Sequence, residues 1–246
     1  MFCMRTGRMS EVGRRPARAN SPVPGRVAGT PGHHRPGGAV SPLPERMSDH
    51  WWWRPGVRPG RGLLVWHILL DDQPQARALV ADCQARLAGI AGLDLIPEPW
   101  LHMTTQIVGF ADEIPAAEVD AMTSAAAERL RALAPAEVEL GKVWFHSEAV
   151  MLGVRPPRGL DPVRAAIREA VDKTVTTHQL SHEPEWTPHV SVAYSHSDRP
   201  AAPILDTLAD PPPPQPFAVR AVHLVKQERA GRLYRWEPLA GVPLDA

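Results

Sequence analysis

Cysteine, long apolar runs and net charge are the things this chain has least of. Two cysteines occur in 246 residues. Cys3 sits in a polar stretch and Cys83 in a run of helical apolar spacing, so neither a disulfide framework nor a cysteine metal site is expected. No apolar run approaches the roughly 18 residues of a spanning helix, and the amino terminus (MFCMRTGRMS) lacks the apolar core of a secretory signal. A soluble, cytoplasmic protein with no membrane partner is the expectation. The formal charge is +0, but unevenly laid out: residues 1 to 46 hold eight arginines against Glu11 and Glu45, a net of +6, and the remainder carries 19 basic and 25 acidic side chains, a net of −6. An acidic body argues against a broad nucleic-acid-binding face, because nonspecific affinity comes mainly from neutralising phosphates. A small ligand or a single RNA end fits better.

Residues 1 to 60 are rich in Pro, Gly, Arg and Ser with no hydrophobic period, the composition of a disordered tail or of an over-long start with Met47 as initiator. Trp51, Trp52 and Trp53 cannot all face one side and are expected to cover an edge of the core. Beyond the tail, 43% apolar residues suffice for a sizeable core. Gly62 to Leu70 reads as a central strand. Asp71, Asp72 and Pro74 mark a helix start, and Ala76, Leu79, Val80, Cys83, Leu87 and Ile90 form its apolar stripe. A second helix is marked by Val119, Met122, Ala126, Leu130 and Leu133. Residues 136 to 145 and 148 to 155 read as a hairpin. Asp161 as N-cap and Pro162 open a third helix, whose stripe runs through Val163, Ile167, Val171, Thr174 and His178. Phe217 to Val225 reads as one final long strand, with Leu233 to Trp236 as a short edge partner and residues 238 to 246 as a tail.

Between these elements lie two stretches that echo each other: Leu101-His102-Met103-Thr104-Thr105 and Pro188-His189-Val190-Ser191-Val192. Of all the histidines, only His102 and His189 are followed, after one spacer, by a hydroxyl residue. Side chains on a strand alternate faces, so His102 shares a face with Thr104, and His189 with Ser191. The element order is a rough internal duplication, which predicts two α+β lobes, each an antiparallel sheet with helices outside, giving one histidine strand each to a shared groove. Two imidazoles and two hydroxyls suit attack on a phosphodiester: one histidine takes a proton, the other gives one, and the hydroxyls hold non-bridging oxygens. The reference histidine pKa of about 6.5 permits one neutral and one protonated ring, hence a bell-shaped pH dependence. His67, in the central strand, reads as a packed or lining residue; His146, His178 and His182 read as turn or helix-end residues. No histidine pair has zinc spacing with a third ligand, so no metal or cofactor is expected. Tyr194 and Trp144 are candidates to stack on a base.

The stretches HMTTQIVGF and PHVSVAYS resemble the paired His-x-Thr/Ser-x motifs of the 2H phosphoesterase superfamily, in particular its 2'-5' RNA ligase-like branch of RNA 2',3'-cyclic phosphodiesterases. The likeness covers residues 61 to 237. It implies the pseudo-symmetric two-lobed fold, with His102 and His189 as the acid/base pair and Thr104 and Ser191 on the phosphate. It also implies a monomeric, metal-independent enzyme that opens 2',3'-cyclic phosphates to 2'-phosphomonoesters on an RNA end or cyclic nucleotide. Splitting or joining of 2'-5' linkages, and a non-catalytic module holding the same ligands, are the alternatives. Ser191 stands where many members have threonine, which keeps the hydroxyl. Thr105 stands where an aliphatic residue is common.

Overall fold

The apolar run that the sequence marks as a central strand lies in the middle of one of the two larger antiparallel sheets. A computed structural model describes residues 43–178, 180 and 186–245; most of the expected tail, and His182, lie outside them. In chain order the elements are β1 (Arg46–Met47), β2 (Leu63–Leu69), α1 (Pro74–Leu87), β3 (Leu93–Leu95), a 3₁₀ turn (Glu98–Trp100), β4 (His102–Phe110), α2 (Ala116–Leu130), β5 (Ala136–His146), β6 (Ala149–Arg155), α3 (Asp161–Thr174), β7 (His189–Ser195), β8 (Arg199–Pro200), α4 (Ala202–Thr207), β9 (Gln215–Val219), β10 (Ala221–Arg229) and β11 (Tyr234–Pro243). One sheet has the order β11-β10-β2-β4 and the other β3-β7-β6-β5-β9. This is the α+β, two-lobed architecture that the duplicated pattern predicts, with β4 against β7 where the sheets meet.

The helices hold the two sheets together by exchange. Ala76, Leu79, Val80, Cys83 and Leu87 are buried along α1, which leaves β2 of the first sheet yet packs on β7 and β9 of the second. α3 follows β6 of the second sheet, but packs on α2 and on β4 of the first, and α2 also touches β11. Each lobe is therefore covered by a helix whose preceding strand lies in the other lobe. No described helix is long and apolar enough to cross a membrane.

Four expectations need correction. The stretch Phe217 to Val225 is two strands: the chain crosses from one sheet to the other at Arg220, with β9 pairing β5 and β10 pairing β2. Continuous hydrophobicity hid the crossing, because both sides of it are buried. The edge partner is not short; β11 runs to Pro243, and Val242 and Leu244 are buried, so residues 238–244 belong to the domain. The third helix starts at Asp161 after Leu160 and ends at Thr174, leaving His178 beyond it. Finally, the segment from residue 43 to 60 packs on the domain, despite a composition poor in apolar period. β1 pairs with β8, His50 N–H donates to Ser195 O, and Met47 and Trp51 are buried. Of the three tryptophans Trp51 is 4% exposed, while Trp52 and Trp53 are 42% and 52% exposed. One of them seals a core edge and two do not.

Trp51→Ala is expected to lower stability by about 3 kcal/mol, the order found for emptying a buried aromatic site. Urea denaturation would measure it, and an unchanged midpoint would return this segment to a solvated tail.

Candidate active site

The two motif strands are built alike down to an irregularity. Along β4, Thr104 lies opposite His67 and Gln106 opposite Trp66, which leaves Thr105 as an extra residue. Along β7, Ser191 lies opposite Met151 and Ala193 opposite Val150, which leaves Val192 extra. Each histidine strand thus carries a β-bulge directly after its hydroxyl residue. A bulge shifts the alternation by one and re-aims the side chains beyond it. In β7 it turns Tyr194 onto the face of His189 and Ser191, although simple alternation would send it to the other face.

Histidine orientation is fixed the same way in both strands. His102 Nδ1 donates to Trp100 O at 2.9 Å, and His189 Nδ1 donates to Thr187 O at 2.8 Å. A carbonyl can only accept, so the proton sits on Nδ1 and Nε2 is left as the working nitrogen of each neutral ring. His102 is 9% exposed and His189 more open. Burial pulls His102 down to about 4; the Trp100 carbonyl opposes this, and the His189 charge adds to it. Burial also lowers His189, against the Thr187 carbonyl and together with His146. Each ring meets a tryptophan edge-on: His102 lies 4.9 Å from Trp236, and His189 5.4 Å from Trp144. Trp186 Nε1 donates to Thr104 O at 3.1 Å, tying the approach to one motif onto the strand of the other.

Of the expected site residues, His102 and Thr104 lie on β4, His189, Ser191 and Tyr194 lie on β7, which contacts β4, and Trp144 on β5 lies against His189. His67 is fully buried with its ring 4.3 Å from His102, and its Nε2 donates to Gln227 Oε1 at 2.9 Å. Burial and the two neighbouring histidines hold it well below the usual range, so it stays neutral behind His102. Tyr194 is not an open stacking platform: the His50 imidazole lies on it at 4.0 Å and 12°. Sequence reasoning missed Trp236 and the whole group around His50. Arg54 donates to the Tyr234 hydroxyl and to Glu148, whose carboxylate also faces His50 Nδ1 at 3.3 Å. His50 Nε2 is 3.0 Å from the Tyr234 hydroxyl. This strap spans Tyr194 of one sheet and Tyr234 of the other. Among the described residues no group of three or more His, Cys, Asp or Glu side chains converges as a metal site.

The family model of the 2'-5' RNA ligase superfamily matches residues 70–231. No curated protein matches the sequence. Among solved structures, TT0787 of Thermus thermophilus superposes with a TM-score of 0.59 at 18% identity, covering 74% of this chain and 98% of that one. LigT of E. coli in apo form gives 0.57 at 21% identity, covering 76% and 99%. A LigT structure complexed with 3'-AMP gives 0.55 at 21%, again covering 76% and 99%. At these identities the structural likeness speaks for the fold.

Thr105, the bulge residue of the first motif, is 2% exposed and its hydroxyl has no partner. Thr105→Val removes that unmet hydroxyl and is expected to stabilise the fold by about 1 kcal/mol without moving His102 or Thr104. A thermal melt with unchanged or lower stability would contradict it.

Proposed function

The chain belongs to the 2'-5' RNA ligase superfamily, and on that premise we propose that it is a metal-independent phosphodiesterase that opens 2',3'-cyclic phosphates, on RNA ends or nucleotides, to 2'-phosphomonoesters. The observation that carries this reading is the matched anchoring of His102 and His189 through Nδ1, which frees both Nε2 atoms on faces that also bear Thr104 and Ser191. LigT structures complexed with 3'-AMP and with phosphate support it, since both ligands present the anionic oxygens these groups suit.

The two histidines divide the work by environment. Groups whose surroundings push their pKa values apart take opposite roles, the lower as base and the higher as acid. His102, held at about 4, is neutral at working pH and takes the proton of the attacking water on Nε2. His189, nearer solvent, carries the proton that its Nε2 gives to the leaving 3'-oxygen. The water oxygen–phosphorus bond forms as the phosphorus–O3' bond breaks, and the two protons exchange with solvent before the next cycle. The Thr104 and Ser191 hydroxyls donate to the non-bridging oxygens. Bound phosphodiester, being anionic, favours the charged form of both rings.

Two measurements test this. His102→Ala and His189→Ala are each expected to cost about 10² to 10⁴ in turnover of nucleoside 2',3'-cyclic phosphates, followed by chromatography of the 2'-phosphate. Binding without product in the wild type would make this a module rather than an enzyme, and joining of ends would make it a ligase. The dependence of kcat/KM on pH should be a bell on the acid side, because it needs His102 neutral and His189 protonated. Its acid limb is expected near about 4 and its alkaline limb below 6.5. An optimum above pH 8 would refute the assignment of roles.

A further inference from the structure

Against His102 stands a histidine to which the mechanism gives no part. His67 lies in β2 opposite Thr104 of β4 and opposite His223 of β10, and residues paired in this way share a face of the sheet. Its ring centre is 4.3 Å from that of His102, with the planes 42° apart, and 5.3 Å from that of Trp236. It has no solvent exposure. The residue type is the anomaly. Val65 and Leu69, two places before and after it, are apolar, and a leucine here would fill the space without burying a polar atom. His67 Nε2 donates to Gln227 Oε1 at 2.9 Å, and since an amide oxygen can only accept, Nδ1 is left with a bare lone pair. That nitrogen is buried and has no hydrogen-bond partner among the described residues. An unmet polar atom lowers stability, and one kept inside a core calls for a reason.

His102 supplies the reason. In the proposed mechanism it takes a proton, and so becomes a cation, while only 9% exposed. Its Nδ1–H is given to the Trp100 carbonyl, Trp236 meets it edge-on at 4.9 Å, and the His67 ring is nearer still. A hydrocarbon in that place would leave the new charge facing apolar atoms. An imidazole with an unshared electron pair presents a dipole instead, and a buried charge feels such a dipole strongly. His67 does not compete for the proton. Burial first, then the His102 charge, hold it well below the usual range, against Gln227 and the Trp66 backbone, and His223 adds to the lowering. The remaining titratable groups around this row are Asp71 and Asp72, which raise His223 against its burial, and His189, which acts on His102.

We propose that His67 is a positioning residue for the reaction: anchored by Gln227, it holds the His102 ring in place and sets a bare nitrogen beside it, so that His102 accepts a proton where an apolar neighbour would oppose it. This rests on the phosphodiesterase reading for the identity of the reaction, but not for the coupling of the two rings. The test compares three variants of the full chain. His67→Leu removes both nitrogens, His67→Asn keeps an acceptor in the place of Nδ1, and His67→Gln keeps a donor in the place of Nε2. Each is read by the pH dependence of kcat and kcat/KM on a nucleoside 2',3'-cyclic phosphate and, without substrate, by NMR titration of the His102 ring. In His67→Leu the acid limb and the His102 titration are expected to move down together by about one pH unit, with kcat about tenfold lower and KM little changed. His67→Asn should restore most of both, and His67→Gln should behave as His67→Leu. A folded His67→Leu with wild-type limb, titration and kcat overturns the proposal. So does rescue by Gln and not by Asn, which would leave the Gln227 bond as the whole role, and so does a loss of kcat with the His102 titration unmoved in all three. Should His67→Leu fail to fold, the contrast of Asn with Gln decides in the same way. If the titration shifts as expected in a protein that opens no cyclic phosphate, the coupling stands and the phosphodiesterase reading falls. Turnover that ignores all three variants removes His67 and leaves that reading intact.

Discussion

Everything at the centre of this molecule depends on two hydrogen bonds of one kind: an imidazole Nδ1–H given to the carbonyl two residues upstream, at Trp100 and at Thr187. The carbonyl has no proton to offer, so the bond selects a tautomer as well as an orientation. Both rings are thereby committed to presenting Nε2, and a perpendicular tryptophan limits how far each can swing. Burial then lowers both pKa values, and in the proposed mechanism the more enclosed His102 serves as base and the more open His189 as acid.

The bulges after Thr104 and Ser191 extend the same logic to the backbone. A regular strand with the sequence HVSVAY would place Ser191 and Tyr194 on opposite faces. With Val192 left without a partner on β6, Ser191 and Tyr194 share one face, and Tyr194 in turn reaches the group of Tyr234, His50 and Arg54. The shape of this site therefore comes from departures from ideal strand geometry at two equivalent places, one per lobe.

The two histidine strands are legible in the sequence because their signal is local: histidine, spacer and hydroxyl within three residues, twice, in strand-forming surroundings. The apolar stripes of Ala76 to Leu87 and of Val163 to Val171 are equally local, and those helices are where the spacing puts them. What escapes are properties that only the assembled fold decides. The crossing at Arg220 is invisible where both flanks are buried strand. The strap reads as a tail because its few apolar residues, Met47 and Trp51, have no period; they are buried by a surface already formed by Tyr194, Tyr234 and β8. Trp236 reads as an edge residue, since its meeting with His102 requires the long β10–β11 hairpin to curl over the face of the sheet.

The exchange of helices between the sheets, together with the strand that changes sheets at Arg220, bears on how such a duplicated molecule persists. Although its halves echo each other, neither is a self-sufficient unit: the first sheet takes two of its four strands from the carboxyl-terminal half, and the second is covered by a helix from the amino-terminal half. Such halves cannot be traded, shuffled or lost separately. The internal symmetry of the fold is thus held by interdependence, and neither half can be altered without the other.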